Sequence, residues 1–285
     1  TGLAGHNVEL TATTATAGSV MATSARAGND VTVNANGAAT VTFAEATGFK
    51  LKADLSGFDT ATPAIDAEAD GSNVAVTAGG IADVTTLTAK RDVTVMALSV
   101  TGNAGTGGTL TAGDDVRVTA TGGSATVASA TSTGADTDGE GDGWNVVVTA
   151  SNTANLGFGQ APTDILVSGG LNAILGDGDA GNDIKVTSGT GFAHLTGTGT
   201  AGNDIKIDAS TGTDALLATG TAGNDVTLLA KNEAMATSAT ATANNVTLTA
   251  TNGNASLGTG TAGQDILLSA SSTSGWIRSS SCRVQ

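Results

Sequence analysis

The stretch TAGNDIKIDASTGTDALLATGTAGNDVTLLA, residues 200–230, spells the same turn and strand twice. Gly202-Asn203-Asp204-Ile205 returns as Gly223-Asn224-Asp225-Val226, and a short aliphatic run comes after each copy. A corner and a strand repeated at this distance describe stacked coils rather than a chain folded once around a core. In both directions from this stretch, an acidic or amide residue followed by Val or Ile recurs at Asn7, Asp30, Asn73, Asp92, Asp115, Asn145, Asp164, Asp183, Asp204, Asp225, Asn245 and Asp265. The spacings between these anchors are 23, 43, 19, 23, 30, 19, 19, 21, 21, 20 and 20. The gap of 43 reads as about two repeats, with a degenerate Lys52-Ala53-Asp54-Leu55 near its middle.

The residues just after each anchor are more regular than the spacing. The next residue is β-branched in every copy, and two positions on comes another aliphatic, as in Leu10, Val33, Val118, Ile207 and Leu248. Between them stand permissive residues such as Glu9, Arg117, Lys206 and Thr247. Alternation of this kind is a half-buried strand. The fifth residue after the anchor is Ala in ten of twelve copies, and Gly169 or Ser188 in the other two, so the strand is expected to bend tightly inward there. A second, weaker strand fills each repeat, as in AATVTF (38–43), FAHLTG (192–197) and DALLAT (214–219). Gly and Asn at the corners are expected to supply left-handed backbone angles.

One such unit cannot bury its apolar edge alone, but stacked neighbours can. The expected fold is therefore all-β, a parallel β-solenoid (β-helix) of about 20 residues per rung. It is expected to run as one continuous array over 1–270, with insertions at 48–70 and 131–143 bulging from its side. Thirteen or fourteen rungs at about 4.8 Å each would make a rod on the order of 60–70 Å long. Residues 271–285, SSTSGWIRSSSCRVQ, leave the repeat pattern and are expected to form a tail outside it.

Composition agrees with a narrow interior. The chain of 285 residues has 41 glycines, 5 Phe, 2 Trp and no Tyr, so the core must be built from small aliphatic side chains. The apolar fraction of 39% in register argues against disorder. A formal charge of −15, from 26 acids and 11 bases, argues against a nucleic-acid partner, which requires clustered Lys and Arg. No apolar run is long enough to cross a membrane. Cys282 is the single cysteine, so no internal disulfide forms, and the start at Thr1 reads as a piece of something longer.

The unit AGNDV-x-L-x-A-x-NG-x-A-x-L, seen in AGNDVTLLAKNEAMATSA (222–239) and NNVTLTATNGNASLGTGTAGQDI (244–266), resembles the repeats of filamentous-haemagglutinin-type adhesins. The resemblance covers residues 1 to about 270. It implies a right-handed β-helical shaft, export by two-partner secretion, and an extracellular or bacterial cell-surface location. It implies neither catalytic residues nor a required cofactor. An unidentified host-cell, glycan or surface receptor is the expected partner, and exposed terminal rungs, which invite strand pairing, add further copies of the chain, end to end or side by side.

Four features compete with a purely structural reading. The stacked anchor carboxylates could hold cations, but Asn at four anchors suits side chains that accept hydrogen bonds from turn amides a residue or two ahead. In GADTDGEGDG (134–143), Asp136, Asp138, Glu140 and Asp142 alternate, with Gly141 sixth from Asp136, as in a calcium loop. The twelfth position holds Val147 instead of a bidentate Glu, so this candidate calcium site is incomplete. Thr198/Thr200, Thr219/Thr221, Thr240/Thr242 and Thr259/Thr261 form T-x-T pairs like those of some antifreeze proteins, with Thr240/Thr242 one residue out of register. Polysaccharide-cleaving enzymes also use the β-helix, but they need acids gathered beside aromatic platforms, and His6 and His194 stand many rungs apart. Lys50 and Lys52 beside Phe49 and Phe58 form the group most open to binding, and are expected to cover the first half of the solenoid.

Overall fold

The computed structural model describes residues 2–13, 18–53, 56–63, 72–102, 108–134, 145–271 and 276–284. Among them there is strand and turn but no helix, hence none that is long and apolar enough to cross a membrane. The strands stack in parallel as a β-solenoid of about 21 residues per turn. The chain divides into two compact units, Thr1–Val147 and Val148–Gln285.

In the first unit the strands Val8–Ala12, Val31–Ala35, Val74–Ala89, Val93–Thr101 and Val116–Ala120 run side by side, and the residue after each anchor falls in one column, Val8↔Val31↔Val74↔Val93↔Val116. Inward Val31, Val33, Val74, Val76, Val93 and Val95 are all fully buried. The 43-residue gap is not two repeats. Val31 pairs directly with Val74, so one coil closes across it. The extra residues leave the stack as an antiparallel hairpin, Phe49–Leu51 against Phe58–Pro63, with Lys50 opposite Asp59. Lys52 and Ala53 lie at the hairpin's turn rather than in a rung, which is why about 12 turns form instead of thirteen or fourteen.

In the second unit the short strands Ile165–Gly169, Ile184–Ser188, Ile205–Ala209, Val226–Ala230, Val246–Ala250 and Ile266–Ala270 keep the same register, Ile165↔Ile184↔Ile205↔Val226↔Val246↔Ile266. Longer strands alternate with them, from Thr153–Ala161 through Asn172–Ala180, Ala193–Ala201, Ala215–Ala222 and Glu233–Ala241 to Asn254–Ala262. Their inward residues form a core column of five leucines and one alanine, Leu156↔Leu175↔Leu195↔Leu217↔Ala236↔Leu257, each at most 1% exposed. Each buried leucine contributes about 1.5–3 kcal/mol relative to exposure. Ala209, Ala230 and Ala250 are also buried, at the point where each short strand ends and the chain turns. Residues Ile277–Val284, expected off the pattern, form a further parallel strand with Ala255↔Ile277 and Gly260↔Cys282. The offset of one coil length lets a strand of different composition continue the ladder.

The corners differ from expectation in their backbone. Among the described residues only Ser72, Gly48, Gly57 and Gly134 have positive φ, and none belongs to the recurring AGND corner. Glycine is needed there for another reason. A methyl group on Gly202 would overlap the Gly181 carbonyl, and one on Gly223 the Gly202 carbonyl. Coils stacked at sheet spacing leave no room for a Cβ at that point.

Candidate functional site

The anchors are the most uniform polar groups of the repeat, and the structure shows where their oxygens go. In ten of the twelve anchors the side-chain Oδ1 accepts the backbone N–H of the equivalent anchor one coil ahead. In the first unit this runs Asn7 to Asp30 at 3.2 Å, Asp30 to Asn73, Asn73 to Asp92 and Asp92 to Asp115 at 3.0 Å, and Asp115 to Asn145 at 2.8 Å. In the second unit Asp164 to Asp183, Asp183 to Asp204 and Asp204 to Asp225 are each 3.0 Å, followed by Asp225 to Asn245 at 2.8 Å and Asn245 to Asp265 at 3.1 Å. The expected acceptor role holds, but the donor is the next coil rather than a residue or two ahead. The residue before the anchor joins in: Asn182 and Asn203 donate Nδ2 to Asp164 and Asp183 at 2.9 Å. A second ladder, at the other corner, has no counterpart among the sequence expectations. There Asn172 accepts from Phe192 N–H at 3.2 Å, Asp214 from Glu233 N–H at 3.1 Å, and Asn254 from Trp276 N–H at 3.2 Å.

The calcium loop expected at Asp136, Asp138, Glu140 and Asp142 lies outside the described residues, as does Trp144. A different acidic group does converge in the first unit. Asp92, Asp114 and Asp115 each place a carboxylate oxygen within 4.8 Å of the others. Asp114 and Asp115 are both 5% exposed, and so is Arg91. These oxygens are the kind that a hard cation takes. Two of the acids are already engaged: Asp92 and Asp115 hold the next anchors, and Asp115 is also ion-paired to Arg117. Arg91 and Asp114 are column neighbours, with Asp114 N–H donating to the Arg91 carbonyl at 3.2 Å. The signal was present in the sequence as Asp114 standing where later coils carry Asn182, Asn203 and Asn224.

The group around Phe49 and Phe58 forms a recess of about 350 Å³ where the hairpin meets the solenoid wall, bounded by Arg26, Glu45, Thr60 and Lys90 as well. Arg26 Nε meets Glu45 Oε2 at 2.6 Å, and its guanidinium stands 5.2 Å from the Phe58 ring centroid. Phe58 is 9% exposed, so it fastens the hairpin rather than presenting a platform. Lys50 and Lys52 remain exposed.

In the second unit Phe158, Asp177, Asp179, Thr198 and Thr200 line an open hollow of about 430 Å³. Asp177 Oδ1 accepts the Thr198 N–H at 2.7 Å. Both acids are exposed, whereas an acid kept protonated for glycoside cleavage needs an apolar, enclosed setting. His194 stacks on Phe192 with ring centroids 4.2 Å apart, in a column between Ile174 and Leu216. Burial lowers its pKa below the usual histidine value, against the pull of Asp214. The threonine pairs are corrected in one coil: Thr219 pairs with Ser238 and Thr221 with Thr240, so the in-register pair is Ser238/Thr240 and Thr242 lies beyond the strand. No family model, no curated protein and no solved structure matches the chain.

Proposed function

We propose that this chain is a structural shaft segment of a secreted or surface-anchored bacterial adhesin or filament, carrying no catalytic centre and requiring no cofactor. The observation that carries the reading is the fate of the anchor side chains. The polar group that the coils repeat uses its Oδ1 to hold the next coil at ten of the twelve anchors, through side-chain-to-backbone bonds of 2.8 to 3.2 Å. Chemistry that is spent on coil-to-coil adhesion is not left over for a row of cation or substrate sites. Repetition then serves extension and resistance to unfolding, since each coil is held by its neighbours. The resemblance of the AGND unit to filamentous-haemagglutinin-type repeats supports an extracellular place, two-partner export and a receptor outside this segment, and strand pairing at exposed terminal coils supports lengthwise or lateral association of copies.

Immunogold labelling of the source cells with antibody to this chain tests the proposal. Gold along thin fibres, or at a distance from the envelope, is the expected result. Protein found free in the medium with no surface label overturns it. A melting temperature equal in calcium and in chelator is also expected, because the anchors already spend Oδ1 on the next coil's backbone N–H. A calcium-dependent rise that Asp114→Asn abolishes would instead assign a cation to the Asp92–Asp114–Asp115 group.

A further inference from the structure

The longer strands of the second unit carry a face that the shaft reading does not use. After the core leucine of each coil the chain presents two outward residues flanking one inward residue. Four consecutive coils read Thr198-Gly199-Thr200, Thr219-Gly220-Thr221, Ser238-Ala239-Thr240 and Thr259-Gly260-Thr261. Pairing puts them in strict register, Thr198↔Thr219↔Ser238↔Thr259 and Thr200↔Thr221↔Thr240↔Thr261. Eight hydroxyls therefore stand in two straight columns, about 4.8 Å apart along the stack and about 6.7 Å apart across it, as sheet geometry requires. Thr198, Thr200, Thr219, Thr221 and Thr259 are exposed, and the other three are half-buried. The inward residues are glycine or alanine and project nothing between the columns. The trough there is one residue wide.

Strand propensity alone does not account for this pattern. Threonine suits any exposed strand position. Yet the outward column of the short strands in the same unit holds Leu166, Lys185, Lys206, Thr227, Thr247 and Leu267, and the other outward column of the longer strands holds Ile174, His194, Leu216 and Met235. One face out of three keeps uniform size and zero charge over four coils. Its limits are marked by charge: Asp179 precedes Thr200 in its column, and Arg283 follows Thr261.

The geometry points to ice as the ligand of this face. Thr198 and Thr200 border the open hollow lined by Phe158, Asp177 and Asp179; beyond that edge a flat grid has no walls to enclose a dissolved small molecule, so an occupant gains from the repeat only if it is itself flat and periodic. Zero charge across the grid disfavours an ionic mineral, which needs opposed charges. A crystalline polysaccharide would call for aromatic platforms beneath its rings, and the eight positions contain none. Water is left. Each hydroxyl donates and accepts, each threonine methyl excludes one water position, and the trough takes a row of waters between the columns. Many water-mediated contacts made at once, each weak, are an effective way to hold an ordered water lattice.

Ice uptake from a slowly frozen solution tests this, with crystal shaping and thermal hysteresis read on the same samples. The unaltered chain is expected to enter the ice and shape it. Thr219→Lys/Thr221→Lys, at the centre of the grid, is expected to be excluded and to show no hysteresis. Thr227→Lys/Thr247→Lys, on the short-strand face, is expected to behave like the unaltered chain. Melting temperature at neutral pH confirms that both variants are folded. Exclusion of the unaltered chain from ice overturns the inference, as does equal uptake by the grid variant. Binding to insoluble cellulose or chitin without ice uptake overturns it in favour of a crystalline glycan. None of these results bears on surface labelling, so this inference and the shaft stand or fall separately.

Discussion

A single anchor shows how one residue is fitted to the fold. Asp204 accepts from Asp225 N–H at 3.0 Å, and its own N–H donates to Asp183 at 3.0 Å. An amide oxygen serves equally, as Asn245 does for Asp265. Asp204→Asn is therefore expected to leave stability nearly unchanged. Asp204→Ala strands a half-buried N–H and is expected to cost about 1–3 kcal/mol in chemical denaturation. His194 sets a different test. Its pKa is lowered in the fold by burial, so the unfolded chain binds more protons below the ordinary histidine range. The stability that its neutral form permits is full above about pH 6.5 and is lost as pH falls through the lowered folded value. His194→Leu extends an Ile174–Leu216 column and is expected to flatten the melting temperature between pH 7 and 5. Asp208 acts in a lower window. Burial raises its pKa, but the hydrogen bonds from Ser210 and Lys206 outweigh that and hold it below the usual carboxylate value. Its contribution persists until the carboxylate itself protonates.

At the scale of the strand, core volume and strand position are traded between two residues. Beneath Gly199, Gly220 and Gly260 lie Leu195, Leu217 and Leu257, and an added Cβ would stand 2.6 to 2.8 Å from a leucine methyl in each. In the coil between the last two, the strand carries Ala239 and the core carries Ala236. A methyl is admitted where the leucine is absent. Ala236→Leu alone is expected to destabilise through overpacking, by about 1–3 kcal/mol. Adding Ala239→Gly is expected to recover that loss, a coupling of about 0.5–3 kcal/mol in a double-mutant cycle. Additive effects would show that the two sites do not share volume. The hairpin obeys other rules: Phe58 lies under the Arg26 guanidinium, and its register is antiparallel. Phe58→Ala is expected to expose the hairpin to proteolysis while leaving the column around Val31 and Val74 intact.

At the scale of the whole molecule, each unit is a sum of coils and nearest-neighbour contacts. The clearest test is to remove one coil entire. Deleting residues 204–224 joins Asn203 to Asp225 and restores AGNDV, so Asp225 takes the place of Asp204 above Asp183. The shortened chain is expected to fold and to melt cooperatively near the parent temperature. Deleting 205–214 removes a strand and a corner without restoring register, and is expected to lose cooperative melting. If both deletions melt alike, the coils are not the units of stability.

The parallel solenoid, its inward column and its anchors were legible in the sequence because period-two alternation and a fixed anchor are local properties. The chain repeats them often enough that errors in one coil are outvoted by the others. Coordinates were needed wherever the partner stood one coil away. The acceptor at Asp204 could be named from sequence, but its donor is 21 residues away and looks no different from a local turn amide. Glycine at Gly223 reads as a left-handed corner, while its cause is the carbonyl of Gly202 in the coil before. The Thr240/Thr242 slip vanished because Ser238 supplies the missing hydroxyl, and only pairing with Thr219 reveals that. Likewise Asp92 and Asp114 lie 22 residues apart and meet through the stack. Sequence sets out each coil's offer of donors, acceptors and volume, and stacking decides which coil receives it.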